Sequence, residues 1–270
     1  MKTAITPTRQ ENFSEWYQNV ITAADLAENS PSAGSMTLKP YGWAIWELMR
    51  DELDARIKKE GVLNVQFPTL IPIEYFNKEA QHVEGFAKES MIVTHHRLKM
   101  IDGKLQPDPD SKLTEPYIMR PTSETIIGEA MSRWVQSYRD LPLKLNQWTS
   151  VFRWEMRPRL FLRTREFFWQ EGHNVFATAA DAHNDALKMH RVYNEYMSDI
   201  LAIDSVVGEK TPEERFAGAD HSYTREMIMQ DGKAVQMGTS HDLGQHFSKS
   251  FDIKYLGDDG VQHYAYTTSW

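Results

Sequence analysis

Residues 151–173 read VFRWEMRPRLFLRTREFFWQEGH, two runs of alternating large apolar and charged residues on either side of an arginine-bearing loop. Successive side chains of a strand point to opposite faces, so an extended first run puts Arg153 and Glu155 on one face and Phe152 and Trp154 on the other. On the returning run the same parity groups Arg163, Arg165, Phe167, Trp169, Glu171 and His173. Folded as a hairpin, the two runs load one sheet face with three guanidiniums, two aromatic rings, two carboxylates and an imidazole. Unpartnered charges on such a face cost several kcal/mol on burial. The pattern therefore calls for a bound ligand or for a ladder of cross-strand Arg/Glu pairs.

Composition narrows what that ligand can be. The chain has 270 residues and a formal net charge of -8, which excludes a protein that coats nucleic acid non-specifically. Arg153, Arg157, Arg159, Arg163 and Arg165 form the one place where basic charge gathers against that balance. With no cysteine there is neither a disulfide framework nor a thiolate zinc site, so no zinc is expected, and a reducing compartment such as the cytoplasm is allowed. No apolar run follows Lys2, and no stretch approaches the roughly eighteen apolar residues of a membrane span. The expectation is a chain that is neither secreted nor membrane-bound.

No repeat, low-complexity tract or linker divides residues 1–270, so one continuous domain is expected. Helices are predicted over 13–28, 41–60, 123–138 and 180–201 from apolar residues at helical spacing. In the second of these the stripe is Ala44, Ile45, Leu48, Met49, Leu53 and Ile57, with Gly61 placed to cap it. A strand around Pro68 follows, and because proline cannot donate to a ladder it is assigned to an edge or a subunit boundary. A hairpin is predicted about Asp102-Gly103, and turns at Asp231-Gly232 and Asp259-Gly260 divide the last third into short antiparallel strands. This order of helices and antiparallel strands is that of an α+β fold.

Neither G-x-x-x-x-G-K-[ST] nor G-x-G-x-x-G is present, so a nucleotide would have to bind through some other device. G-x-S-x-G and H-E-x-x-H are absent too, which removes hydrolase and metalloprotease readings. His241 beside Ser240 is no catalytic dyad, because neighbouring side chains diverge. Thr122 and Glu124 could act purely as N-cap and first-turn residues of the helix that follows them.

Phe152-Arg153-Trp154-Glu155, a loop, then Arg163, Phe167 and Glu171 at spacings of four resemble motif 2 of class II aminoacyl-tRNA synthetases. The helix and the strand bearing Pro68 resemble motif 1 of that class, whose proline lies at a homodimer interface. Further stretches, among them SPSAGSMTLKPYGWAIWE, RPTSET at 120–125, LPLKLNQW, Phe216-Ala217-Gly218 and GTSHDLGQ at 238–245, are similar to prolyl-tRNA synthetases of the archaeal and eukaryotic type. The likeness runs from about Phe13 to Trp270.

The resemblance implies the class II catalytic fold, an antiparallel sheet flanked by helices. It implies ATP-dependent activation of L-proline, with Mg2+ on the ATP phosphates, and transfer of proline to tRNA(Pro). Arg153 would bridge the α-phosphate and the proline carboxylate, and is the residue expected to carry catalysis. Glu155 would accept from the adenine amine, Arg163 would hold the far phosphates, Phe167 would stack on adenine, and Gln236 would lie near the ribose. Thr122 and Glu124 would hold the cyclic ammonium, and a secondary ammonium does offer two donors and a charge that one hydroxyl and one carboxylate satisfy. Phe86, Trp169 and His173 would wall the pyrrolidine ring, with Glu171 beside them and Thr239 and His241 nearby. Residues 266–270 fall where motif 3 of the class would begin, so the catalytic domain is expected to lack its last strand and helix and its anticodon-binding domain, with weak activity alone. The spacing between His173 and Gly238 leaves no room for an inserted editing domain. Two other readings stay open on the sequence: a non-enzymatic synthetase-like paralogue serving dimerisation or RNA association, and an amino-acid ligase acting on a carrier protein.

Overall fold

The computed structural model describes residues 5–78 and 87–270. Its centre is a seven-stranded sheet in the spatial order Val206–Glu209, His221–Ile228, Ala234–Asp242, Tyr266–Ser269, Glu166–Phe176, Leu143–Phe152 and Leu63–Asn64. Every neighbouring pair is antiparallel except the last, where Leu63 and Asn64 run parallel to Leu145 and Asn146. Helices flank this open sheet, as expected of an α+β chain.

The hairpin expected from the 151–173 pattern forms its spine. Leu143–Phe152 and Glu166–Phe176 pair in unbroken register from Leu143↔Val175 to Phe152↔Glu166. On one face of the returning strand stand Phe167, Trp169, Glu171 and His173. On the other face Phe168 meets Trp43 and Trp46 at ring-centroid distances of 5.2 and 5.6 Å, and Trp46 also packs edge-on to Trp148.

Those tryptophans belong to the helix Pro40–Lys59, which starts on a proline whose fixed φ suits the first helical position. Gly61, at φ 79°, ends it as expected. The predicted apolar stripe is only half buried. Leu53 and Ile57 enter a cluster with Met189, Val192, Tyr193, Tyr196 and Trp270, whereas Ile45 and Leu48 stay exposed. The first turns dock instead through Trp43, Trp46 and Gly42, where any Cβ would strike the Leu26 carbonyl.

Other boundaries moved for local reasons. The helix predicted over 13–28 is Phe13–Ala23, because Asp25 turns into the left-handed region (φ 55°) and Ala27–Asn29 pairs with Met36–Leu38. The helix over 180–201 is Ala179–Glu195, started by the Thr178 side chain and finished by a wider turn, Tyr196–Ile200. Arg225, almost fully buried, holds that turn by donating to the Asn194 and Ile203 carbonyls and to Ser198 Oγ. The Asp102-Gly103 turn is present, both residues having positive φ (50° and 75°), as a two-residue hairpin loop requires.

Tyr266–Ser269 enters the sheet as a wedge. Ser269 pairs with His173 on one side and with His241 on the other, and Trp270 exchanges backbone hydrogen bonds of 2.6 and 2.9 Å with Gly172. Residues 166–171 pair on one edge with 147–152 and residues 234–240 on one edge with 223–228, while their facing edges have no ladder partner among the described residues, leaving a gap between two strands of one sheet.

Candidate active site

A cavity of 650 Å³ opens along that gap and over the face of the central hairpin. Ten of the residues singled out from the sequence line it: Thr122, Glu124, Arg153, Phe167, Trp169, Glu171, His173, Gln236, Thr239 and His241. They come from four places: the loop and first turn of the helix Glu124–Trp134, the end of Leu143–Phe152, the strand Glu166–Phe176, and the strand Ala234–Asp242.

Arg153 lies just beyond the first strand of the hairpin. Its Nε donates to the Pro121 carbonyl at 3.0 Å, and its guanidinium stands 5.5 Å from the Phe167 ring centroid and 5.2 Å from that of Trp169. Set over an edge-to-face pair of rings and tied to the backbone, it is a positioned planar cation. Burial lowers its pKa, against the opposing pull of Glu124, Glu89 and Glu171.

Beyond Trp169 the cavity ends in a buried polar knot. Glu171 Oε1 accepts from Ser123 Oγ (2.5 Å) and Gln147 Nε2 (2.8 Å), while Oε2 accepts from the Ser123 backbone N–H (3.1 Å) and sits 3.1 Å from His173 Nε2. Four contacts fill the capacity of a carboxylate. Glu171, assigned beside proline from the sequence, is thus spent on protein partners. Burial pushes the Glu171 carboxyl up, but the bond and charge of His173, with the Ser123 and Gln147 bonds, outweigh it and hold the group below the usual glutamate range. Burial favours the neutral form of His173, and Glu171 and Glu124 override it to raise that pKa. Glu124, one residue from Ser123, accepts from the Thr122 hydroxyl. Burial raises its pKa, with His173 and Thr122 opposing.

His241 is different in kind. Its Nδ1 lies 2.8 Å from Ser222 Oγ, its ring stacks on Phe216 at 4.8 Å, and burial with the nearby Lys210 and His173 charges takes its pKa down to about 3. It forms a neutral wall at physiological pH. Because unfolding restores a pKa near 6.5, the unfolded chain takes up a proton that the folded one refuses as pH falls below that value, and stability drops. Between pH 7 and pH 5 this amounts to roughly 2 kcal/mol. His241→Gln is expected to remove that part of the acid sensitivity, measured as the difference between the two proteins' urea-unfolding free energies at pH 7 and pH 5. Equal pH dependence would contradict it.

Four assigned residues are not among the ten. Glu155 and Arg163 do not line the cavity and pair with each other at 3.4 Å. Pro68 is exposed, in the segment between Leu63–Asn64 and Leu70–Pro72. Phe86 lies outside the described residues. Arg165, grouped by parity with the ligand face, leaves it: its guanidinium stacks on Trp154 at 3.5 Å and donates to the Ala33 and Glu155 carbonyls. Parity fails there because the first strand ends at Phe152 and Trp154 N–H bonds to Glu89 O instead.

Four contributors carried no expected role. Gln147 ties Ser123 and Glu171 to the Pro68 segment by accepting from Phe67 N–H (3.0 Å), and Arg120 ties the same segment to the hairpin through the Phe67 and Ser150 carbonyls. Counting back by twos from Trp169's cross-strand partner Thr149 reaches Gln147, so strand parity could have found it. Lys210, which donates to Gln236 Oε1 at 2.7 Å, and Phe216 lie far off in sequence and carry no such signal.

A planar cation over an edge-to-face aromatic pair, a carboxylate–hydroxyl pair at one end and an open antiparallel sheet beneath are the parts of a class II aminoacyl-tRNA synthetase core. Residues 106–269 match the family described as tRNA synthetase class II core domain (G, H, P, S and T), and the chain belongs to that family. Within it the chain is 59% identical over 269 residues to the proline–tRNA ligase of Paramagnetospirillum magneticum, covering 100% of this chain and 53% of that protein. The proline–tRNA ligase of Akkermansia muciniphila is 57% identical over 273 residues, covering 100% and 54%. A crystal structure of prolyl-tRNA synthetase from Cryptosporidium parvum, complexed with halofuginone and AMPPNP, superposes with a TM-score of 0.89 at 37% identity, over 99% of this chain and 51% of that one. The chain spans about half the length of the curated relatives it matches. Among the described residues no helix is long and apolar enough to cross a membrane.

Proposed function

We propose that this chain carries the ATP and amino-acid site of a proline–tRNA ligase, activating L-proline as its adenylate for transfer to tRNA(Pro). The observation that carries the reading is the order along one cavity: Thr122 and Glu124, then Arg153, then Phe167. An amino acid whose ammonium meets Glu124 presents its carboxylate towards Arg153, and a nucleotide whose adenine lies on Phe167 brings its α-phosphate to the same guanidinium. A carboxylate is already a competent nucleophile, so the first step needs alignment and stabilisation of charge on phosphate rather than a general base. Trp169 and the neutral His241 give the pyrrolidine ring an apolar surround.

In this reading Glu155 and Arg163 exchange their mutual ion pair for the adenine amine and the far phosphates when ATP arrives, and the amide of Gln236 faces the ribose. Magnesium comes with the ATP phosphates and offsets their charge. The described residues suit that mode: their one compact acidic group, Glu124, Glu171 and His173, lies at the amino-acid end with Glu171 already saturated. The chain spans about half the length of the relatives it matches, and we assign the full reaction to the longer protein. The exposed Leu63 and Leu70 flanking Pro68 suit a homodimer contact in that protein, and a cysteine-free chain suits the cytoplasm.

The test is calorimetric binding of a non-hydrolysable prolyl-sulfamoyl-adenosine to this chain. Glu124→Gln is expected to weaken binding about 100-fold while leaving the affinity for an unreactive ATP analogue within about twofold, since a charged hydrogen bond to the ammonium is lost and nothing near adenine changes. Undiminished binding by the variant, or no binding by the parent chain, would refute the reading.

A further inference from the structure

Glu124 is offered as the ammonium partner, yet it lies in a part of the molecule where burial works against its charge. The side chains of Glu124, Glu171 and His173 each offer an atom within 4.8 Å of the others. Glu171 and His173 are 5% exposed, and Ser123 and Gln147, which brace Glu171, are fully buried. A carboxylate so placed beside a second carboxylate would ordinarily take up a proton. A cation within reach of both removes that conflict.

We propose that Glu171 and His173 form a fixed ion pair whose imidazolium side keeps Glu124 ionised, so that the three groups alternate in charge and Glu124 alone is left for the ligand's ammonium. This rests on the adenylation reading for the identity of the ligand, but the charge order is a property of the chain itself. The geometry leaves Glu171 little other role. All four of its contacts are protein donors, from the Ser123 amide and hydroxyl, the Gln147 amide and the His173 ring. The contact to the Ser123 backbone also fixes the turn on which Thr122 and Glu124 are mounted, so one carboxylate sets both the position of Glu124 and the charge of its neighbour. The remaining charged groups around the trio are Arg153, a cation that acts on Glu124 first and then on Glu89 and Glu171, and Arg120, which acts on Glu171. His241, on the opposite strand, is neutral and adds no charge. The shifts of His173 upward and Glu171 downward follow the same order, while burial holds Glu124 above the usual glutamate range with His173 pulling it back down.

Glu171 and His173 are then positioning residues, and a bound ammonium continues the series. A primary or secondary ammonium gains from an ionised Glu124 alike. The trio therefore sets affinity for amino acids as a class, and the choice among them falls to the apolar walls.

The test is an NMR titration of this chain with labelled histidine and glutamate. In the parent protein the His173 ring nitrogens should show the imidazolium signature at pH 7.5. In His173→Gln, whose amide can still donate to Glu171, the Glu124 side-chain carboxyl should titrate at least one unit higher, a tenfold change in its proton affinity. In Glu171→Gln the His173 ring should be neutral at pH 7.5. A neutral His173 in the parent protein overturns the proposal without any variant, and so does a Glu124 titration that His173→Gln leaves unmoved. These readouts need no ligand. If the prolyl analogue fails to bind while the titrations behave as stated, the adenylation reading falls and the charge order stands. If the analogue binds in a Glu124-dependent way while the titrations fail, only the charge order is lost.

Discussion

Arg153→Lys is expected to lower proline-dependent exchange of pyrophosphate into ATP by at least about 100-fold, measured in a protein that carries residues 1–270 together with the half its relatives add. Arg153 is tied to the Pro121 carbonyl and stands over the Phe167 and Trp169 rings. A guanidinium so fixed can address the substrate carboxylate and the α-phosphate at once through separate N–H groups. Lysine keeps the charge but is a compact point donor on a flexible stem, and cannot make the two-sided contact. Loss of one preorganised donor to charge developing in a transition state costs about 10²–10³ in rate. The fall should appear in kcat more than in KM, because the contact tightens as charge grows on phosphate. A variant within about threefold of the parent would remove Arg153 from the centre of the mechanism.

Gly172→Ala is expected to destabilise the chain by about 3 kcal/mol or more, read from the midpoint of urea unfolding. A Cβ at Gly172 would fall inside the indole of Trp270, which packs there against Tyr193 while its backbone pairs with Gly172 itself. Neither side can yield cheaply. The glycine is in the middle of the central strand, and Trp270 is buried in the cluster that also receives Leu53 and Ile57. Overpacking of this kind costs about 1–3 kcal/mol where side chains can shift, and more where backbone must. Trp270→Ala in the Gly172→Ala background should recover part of the loss, since the overlapping ring is gone. A Gly172→Ala protein as stable as its parent would mean that the wedge formed by Tyr266–Ser269 is not held as described.

The site was legible where side-chain order follows from strand geometry, and illegible where chain direction changes. Phe167, Trp169, Glu171 and His173 share a face because they alternate along one straight strand, and parity suffices for that. Arg153 and Glu155 lie past the end of the partner strand, and Arg165 swings to Trp154 and the 33–34 backbone, contacts that no periodicity encodes. The four protein donors to Glu171 were not legible, since Ser123 and Gln147 come from a helix start and a neighbouring strand far off in sequence. The helix Pro40–Lys59 shows the same limit: its stripe of aliphatic residues is real, but two tryptophans off that stripe supply the contact with the sheet.

The claim that one cavity aligns proline and ATP about Arg153 is tested most directly by a crystal structure of this chain with prolyl-sulfamoyl-adenosine. The pyrrolidine nitrogen is expected within about 3 Å of Glu124, the sulfamoyl oxygens at the Arg153 guanidinium and the adenine against Phe167. An analogue bound elsewhere, or with its prolyl end away from Glu124, would contradict it.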